Sequence, residues 1–441
     1  MGRDACRLVV DITDWNVFLP RGAPISGIQR VTLNLLRSLR RLGLPYLIIR
    51  HDLLSGYHRE VSPSFLDYDF STPRHPSERG HMHTHNRYTN SYLRSVIASM
   101  WFRVKHGLKR FKENPLDCFT TRYVPRDGDM IYLAGAGWDA SLTMEAIAGF
   151  KKQANIRFAA EVYDFIPFIS EVYHERLGRR QFRRWMKHTR GIVDTYVCLS
   201  QHTQRDFARF RPVLNLPDDV RTIVVTPPQE FASGEVFEST ELPEETHRRR
   251  YALCVAQVFN HKNGRRVIEA WRTIGLVADQ RMSLVIAGAT AREEIVRAFG
   301  TVPNLIVIER PNDSTLANLY RNAEFSIFPS LYEGWGMPVG ESLWFGRPCL
   351  SANGSSMPEV GGDMCDYFDP HAPGELENLL AKAVFNADFV AARATQIDQN
   401  RLKSLDDYAR EIHAALTDEA PTQPIRQPQT NANESTLQAT A

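Results

Sequence analysis

Short apolar runs alternate with helical patterns along this chain, and part-way through the series starts again; that repeated alternation limits the fold more than any other feature. Leu8-Val9-Val10-Asp11-Ile12 reads as a buried strand. A polar loop with Pro24, Ser26 and Gly27 follows, then a helix with Ile28, Val31, Leu35, Leu36 and Leu39 on one face, ended by Gly43. Further strands are expected at 46–49, 130–133, 156–160 and 195–199, most of them separated by helical stretches. After Thr226-Pro227-Pro228 the pattern restarts, with strands at 251–255, 283–287, 305–308 and 325–328 and helices at 264–274 and near 316–322. Alternation of this kind predicts parallel α/β layers. A single core stops growing near about 250–300 residues, so the 441 residues predict two such units.

The expected division is 1–240 and 241–405, with the boundary in the acidic, proline-containing stretch ELPEETHRRR near residue 240. A last helix is expected over 406–418 and a disordered tail, rich in Pro, Gln, Thr and Asn, over 419–441. Six cysteines are scattered with no zinc-like spacing, and no apolar run is long enough to span a bilayer. The expected setting is therefore the cytoplasm.

With 53 Lys+Arg against 51 Asp+Glu, the net charge of +2 excludes a chain that coats nucleic acid through an overall basic field. The total hides a polarised distribution. Residues 74–112, within an expected basic insertion at 74–115, hold nine Lys/Arg and one acid, and residues 176–190 hold seven Lys/Arg and no acid. Both read as basic amphipathic helices, and such a helix suits either packing on the domain or an acidic membrane surface. The density of cations favours the membrane, so peripheral contact with the cytoplasmic face of an inner membrane is expected through 91–112 and 176–190. His75, His81, His83 and His85 lie in a polar run that reads as solvated rather than metal-binding.

The stretch 328–370 carries the most chemistry. An apolar strand runs into Glu333, a turn of Gly334, Trp335 and Gly336 follows, and Met337-Pro338 opens a helix with Glu341 in its first turns. Glycines allow close backbone approach, and the N–H groups at a helix start attract phosphate. A carboxylate accepts hydrogen bonds from hydroxyl pairs, which suits Glu341 to a ribose and Glu333 to a sugar. Lys262, ahead of a helix opening at Asn263-Gly264, suits a phosphate. A weaker signal, Gly135-Ala136-Gly137-Trp138-Asp139-Ala140 with Glu161 downstream, imitates a dinucleotide fingerprint and keeps an NAD-dependent oxidoreductase as an alternative.

These residues resemble the GT-B retaining glycosyltransferases of family 4, whose signature places E-x7-E within F-P-S-x-x-E-G-x-G-x-P; Glu333 and Glu341 fit that spacing. Residues 256–263 resemble the family's phosphate loop, with Lys262 on the donor diphosphate. Ala256 stands where a glycine is usual, and Gln257 where many members carry a second phosphate-binding Arg. Ile25-Ser26-Gly27-Ile28-Gln29-Arg30-Val31 resembles the N-terminal glycine loop. Val162-Tyr163-Asp164-Phe165-Ile166-Pro167 resembles an H-D-x-x-P stretch, with Tyr163 in place of the His.

The resemblance implies two facing Rossmann-like domains with a cleft between them. It also implies a retaining transfer of a sugar, mannose among the candidates, from a nucleotide diphosphate donor to a glycan or lipid-linked acceptor in surface polysaccharide synthesis. In that scheme Glu333, Lys262 and Asp164 act in catalysis. Gly27, Gln257, Gly334, Trp335, Gly336, Met337, Pro338 and Glu341 bind substrate. No cofactor, divalent metal or nucleic-acid partner is expected. The rival from a different class is a catalytically silent protein of this fold that binds a nucleotide sugar or a membrane as a partner in an assembly.

Overall fold

The computed structural model describes residues 6–15, 27–52, 56–67, 119–137, 144–169, 176–231, 242, 244–247, 249–274 and 282–417. The basic segment 74–115, Ile25 and Ser26, Trp138 to Ala140 and the tail 419–441 lie outside the described residues.

Two sheets carry the structure. The first has eight strands: β1 (Arg7–Asp11), β2 (Tyr46–Asp52), β3 (Tyr57–Val61), β4 (Phe119–Arg122), β5 (Asp129–Leu133), β6 (Arg157–Val162), β7 (Thr195–Cys198) and β8 (Arg221–Val224). Their order is β4-β3-β2-β1-β5-β6-β7-β8. β1, β2, β5, β6, β7 and β8 pair in parallel. The second sheet comprises β9 (Arg250–Val255), β10 (Met282–Gly288), β11 (Leu305–Glu309), β12 (Phe325–Phe328), β13 (Cys349–Ala352) and β14 (Asp366–Phe368), in the order β11-β10-β9-β12-β13-β14. All its pairings are parallel.

The expected strands are present, and two pairings depart from the all-parallel expectation. β3 pairs with β2 and with β4 antiparallel, extending one edge of the first sheet. β3 was invisible in the sequence because Tyr57-His58-Arg59-Glu60-Val61 is short and mostly polar. His58 is buried nonetheless, 3.3 Å from the Asp11 carboxylate.

The strands between helices read as continuous apolar runs because both faces are covered. On one face of the first sheet, Leu8, Val10 and Tyr132 pack with Leu35, Leu36 and Leu39 of the helix Gly27–Leu42. The same cluster takes in Tyr408, Ala409, Ile412 and Leu416. Those residues belong to the final helix, Leu405–Thr417, so the chain leaves the second sheet and returns to close the first. Tyr408 also donates from its hydroxyl to Glu161 at 3.3 Å, and Tyr163 donates to the other oxygen of the same carboxylate at 2.5 Å. Burial raises the Glu161 pKa, and the tyrosine hydroxyls partly offset that.

The two crossings between halves run side by side. The Gln229 N–H donates to the Lys403 carbonyl at 3.1 Å and the Lys403 N–H to Gln229 Oε1 at 2.8 Å, while Lys403 Nζ donates to the Thr226 carbonyl at 3.0 Å. Ile412 is fully buried in the shared cluster. Ile412→Ala is expected to lower the free energy of unfolding by about 2–5 kcal/mol, read by denaturant titration with a probe in the first sheet.

Candidate functional site

In open parallel sheets, ligands meet the crevice beyond the carboxyl ends of the strands where the strand order reverses. In the second sheet that point lies between β9, which leads to β10 on one side, and β12 on the other. The chain leaving β9 is the loop 256–263, and the chain leaving β12 holds 329–336. The topology thus brings Lys262 and Glu333 to one place from opposite sides of the reversal.

Lys262 Nζ donates to Glu333 Oε1 at 3.0 Å, and the Ser330 hydroxyl donates to the same oxygen at 2.8 Å. His261 Nε2 stands 4.0 Å from it. The loop is held by its own polar side chains: the Lys262 N–H donates to Asn260 Oδ1 at 2.9 Å, and Asn260 Nδ2 donates to Gln257 Oε1 at 2.5 Å. Gln257 is exposed beside the loop. Asn263 takes a left-handed φ of 54° at the start of the helix Gly264–Thr273 and donates from Nδ2 to the Pro329 carbonyl at 3.2 Å, tying one loop to the other.

The turn 333–336 is held just as firmly. The Glu333 N–H donates to Ser355 Oγ at 2.9 Å, and Ser355 has a φ of 48°, a conformation that costs a non-glycine residue energy and recurs where the surroundings impose it. The Ser356 hydroxyl donates to the Glu333 and Trp335 carbonyls at 3.0 and 2.7 Å. Gly336, with a φ of 100°, precedes the helix Met337–Trp344, which has Pro338 in its first turn. Trp335 lies between the two glycines of the turn. Its indole is buried in the core, so only its main chain faces the turn.

The first half completes the site from across the cleft. Gly27 opens the helix Gly27–Leu42 beside Met337, where an added Cβ would lie 3.5 Å from the Met337 sulfur. At Gly334 a Cβ would stand 1.7 Å from the Tyr163 carbonyl oxygen, so only glycine fits there. That approach places Asp164 near Glu333 and Lys262. Burial raises the Asp164 carboxyl from its ordinary 3.8 to about 6; a bond from the Ile166 N–H opposes the rise, Glu333 adds to it and Lys262 counters it. The Thr203 hydroxyl donates to the Gly334 carbonyl at 3.2 Å. The Gln201 and His202 N–H groups, at the start of the helix Gln201–Leu214, each donate to the Glu359 carboxylate at 2.7 Å.

Glu341 is 3% exposed, and its carboxylate accepts from the Tyr320 hydroxyl at 3.0 Å and pairs with Arg30 of the first half. In the sequence Arg30, Ser330 and Glu359 stand only as members of stretches that resemble the family, and Tyr320 does not stand out. Arg30 was detectable as a cation among apolar helix positions, Ser330 bonds Glu333 three residues on, and Tyr320 and Glu359 depend on contacts with more distant segments.

Residues 238–396 match the family described as glycosyl transferases group 1. The match takes in β9 to β14 and the loops that bring Lys262 and Glu333 together, and covers a little over a third of the chain. Among curated proteins, the chain is 26% identical over 245 residues to the serotype-specific mannosyltransferase WbdA of Escherichia coli, covering 52% of this chain and 29% of that protein. It is 30% identical over 135 residues to the O-antigen chain mannosyltransferase B of Escherichia coli, covering 27% and 33%. The chain therefore spans a third or less of the length of these relatives.

Among solved structures, a glycosyltransferase from Rickettsia africae ESF-5 aligns with a TM-score of 0.54 at 13% identity, covering 95% of this chain and all of that one. WaaG, a glycosyltransferase involved in lipopolysaccharide biosynthesis, aligns at 0.52 and 13% identity, covering 93% and 99%. These likenesses establish the GT-B fold. The fingerprint at 135–137 has a structural explanation in this fold. Gly135 backs onto Asp14, Gly137 onto Trp185, and Glu161, 1% exposed, is engaged by tyrosines rather than presented to a ribose.

The raised Asp164 pKa fixes the sign of a stability effect. The folded state holds the Asp164 proton more tightly than the unfolded chain does, so stability is lost as pH rises through about 4 to 6. Asp164→Asn, which keeps an acceptor for the Ile166 N–H, is expected to raise stability at pH 8 by up to about 3 kcal/mol and to leave it little changed at pH 4. Thermal unfolding of both proteins across that range checks it.

Proposed function

We propose that this protein transfers a sugar, with retention at the anomeric carbon, from a nucleotide diphosphate donor to a hydroxyl of a glycan or lipid-linked saccharide in surface polysaccharide synthesis. The observation that carries this reading is the meeting of Lys262 and Glu333 at the reversal of the second sheet, with Asp164 facing them from the first half. Lys262 and the N–H groups around Gly336 and Met337 take the leaving diphosphate, Glu333 the hydroxyls of the donor sugar and Glu341 the ribose. Gln257 contributes polar contacts beside the diphosphate. Mannose is the favoured sugar, because the curated relatives are named as mannosyltransferases.

The reaction is a displacement on one face of the sugar. The bond between the anomeric carbon and the diphosphate oxygen breaks, and its electron pair stays on the diphosphate. The acceptor oxygen bonds to the same face of the carbon, and its proton passes to a diphosphate oxygen. Charge grows on the leaving group as the bond breaks, so a cation and fixed N–H dipoles aimed at it lower the barrier. Asp164 orients the acceptor hydroxyl. In this scheme Lys262 and the main-chain N–H groups carry the diphosphate charge without a divalent metal.

Lys262→Ala is expected to lower kcat/KM for sugar transfer by about a hundredfold or more in an assay with GDP-, UDP- and dTDP-sugars. Unchanged transfer would overturn the reading, and a wild-type protein that binds a nucleotide sugar without transferring it would favour a silent binding partner.

The same proposal places the enzyme on an anionic membrane surface. The helix Arg176–Thr189 buries Phe182, Trp185 and Met186 against the first half and exposes Arg180, Arg183, Arg184 and Lys187. Its apolar face is thus committed to packing, so contact through this helix would be electrostatic. Among the described residues no helix is long and apolar enough to cross a membrane. Sedimentation with vesicles containing an anionic lipid is expected to pull the protein down at low salt and release it as salt rises. Retention in the supernatant at every salt concentration would remove the membrane part of the proposal.

A further inference from the structure

We propose that Arg30 is a ligand-binding residue of the donor site: reaching across from the first half, its guanidinium and the Glu341 carboxylate together hold the 2′,3′-diol of the nucleotide ribose. This rests on the donor reading above and assigns to it a residue of the opposite sheet.

Arg30 lies in the first turn of the helix Gly27–Leu42, one turn beyond the glycine that meets Met337. Three separate elements fix its side chain. It pairs with Glu341, its Nη1 lies 3.2 Å from Asp313 Oδ1, and the guanidinium rests 4.8 Å from the centre of the Phe231 ring. Glu341 and Asp313 offset the cost of burying it and leave its pKa raised. Its Nε–H, however, is buried and has no hydrogen-bond partner. A buried donor left unmade is destabilising, so a site that keeps one is poised for an acceptor from a ligand.

The chemistry of the pair selects that ligand. An ionised carboxylate only accepts hydrogen bonds and a guanidinium only donates, whereas a hydroxyl does both. After Arg30 and the Tyr320 hydroxyl have been counted, each Glu341 oxygen still has a lone pair for an incoming O–H. The oxygen of such a hydroxyl would then accept from Arg30 Nε. A vicinal diol between these two groups satisfies both, and a deoxygenated sugar satisfies neither. Because the two groups come from opposite sheets, ribose recognition also joins the halves of the cleft.

Two other roles for Arg30 predict different behaviour. A brace between the halves would affect all nucleotides alike, and a plug covering Glu341 would weaken binding when present. Calorimetric titration of the full chain with GDP, UDP and ADP, and with the 2′,3′-dideoxy form of whichever binds, separates them. The wild type is expected to prefer the ribose form by about tenfold or more, as sites built to bond a hydroxyl reject its absence. In Arg30→Lys, which keeps a cation beside Glu341 but has no Nε–H fork, and in Glu341→Gln, that preference should collapse while dideoxy binding changes by less than about threefold. The double variant should lose little more than either single one, since the two act as a unit.

Equal weakening of both ligand forms in Arg30→Lys, an unchanged preference, or tighter ribose binding would each overturn the inference. A wild type that binds both forms equally would overturn it together with the Glu341–ribose contact, while leaving the nucleotide-sugar reading standing. A wild type that binds none of the three diphosphates would overturn both. Unfolding midpoints measured on every variant, with Arg30→Lys as the mildest change, keep loss of fold from being read as loss of selectivity.

Discussion

The close approach of Gly334 to the Tyr163 main chain sets the geometry of the whole cleft. With a Cβ at position 334 lying 1.7 Å from the Tyr163 carbonyl oxygen, any other residue would push the halves apart. Contacts between the halves cluster around that approach. Asp164 comes near Glu333 and Lys262, Thr203 reaches the Gly334 carbonyl, and Glu359 caps the helix Gln201–Leu214 from the other side. A glycine that looks like turn punctuation in the sequence is the point where the two sheets are held at working distance.

Around that point, charge is arranged so that little of it lies unpaired. Lys262 and Ser330 share one oxygen of Glu333, Arg30 and Tyr320 engage Glu341, and Tyr163 and Tyr408 enclose Glu161. Asp164 has a different balance: burial raises its carboxyl, the Ile166 N–H and Lys262 oppose the rise, and the Glu333 and Asp206 carboxylates add to it. Buried polar groups that are paired add rigidity. Those pushed from their ordinary pKa are where a protein keeps the means to handle a proton.

Much of the site was legible because its residues are close in sequence. Glu333, Gly334, Gly336, Pro338 and Glu341 lie within nine residues, and Lys262 stands two residues before a helix start, so the sequence singled them out as candidates. Nine of the strands were legible as short apolar runs, whereas β3, β4, β8, β13 and β14 were not among those expected. What escaped was whatever gained its character from a distant partner. β3 is polar by composition and is a strand because it pairs with β2 and β4. The Trp335 ring likewise takes its place in the core from the layers packed around it.

The sequence by itself determined that there are two largely parallel α/β layers, where most of their strands lie, and which carboxylates and lysine sit at strand ends and helix starts. Those properties follow from periodicity and from the local chemistry of glycine, proline and charge. Only the tertiary structure decided that the final helix returns to the first sheet, that Glu359 and Arg30 act across the cleft, and that Glu161 is locked among tyrosines. Apart from the Glu161–Tyr163 bond, these join residues separated by scores to hundreds of positions, and such contacts are selected by the packing of whole layers, which no short window of sequence contains.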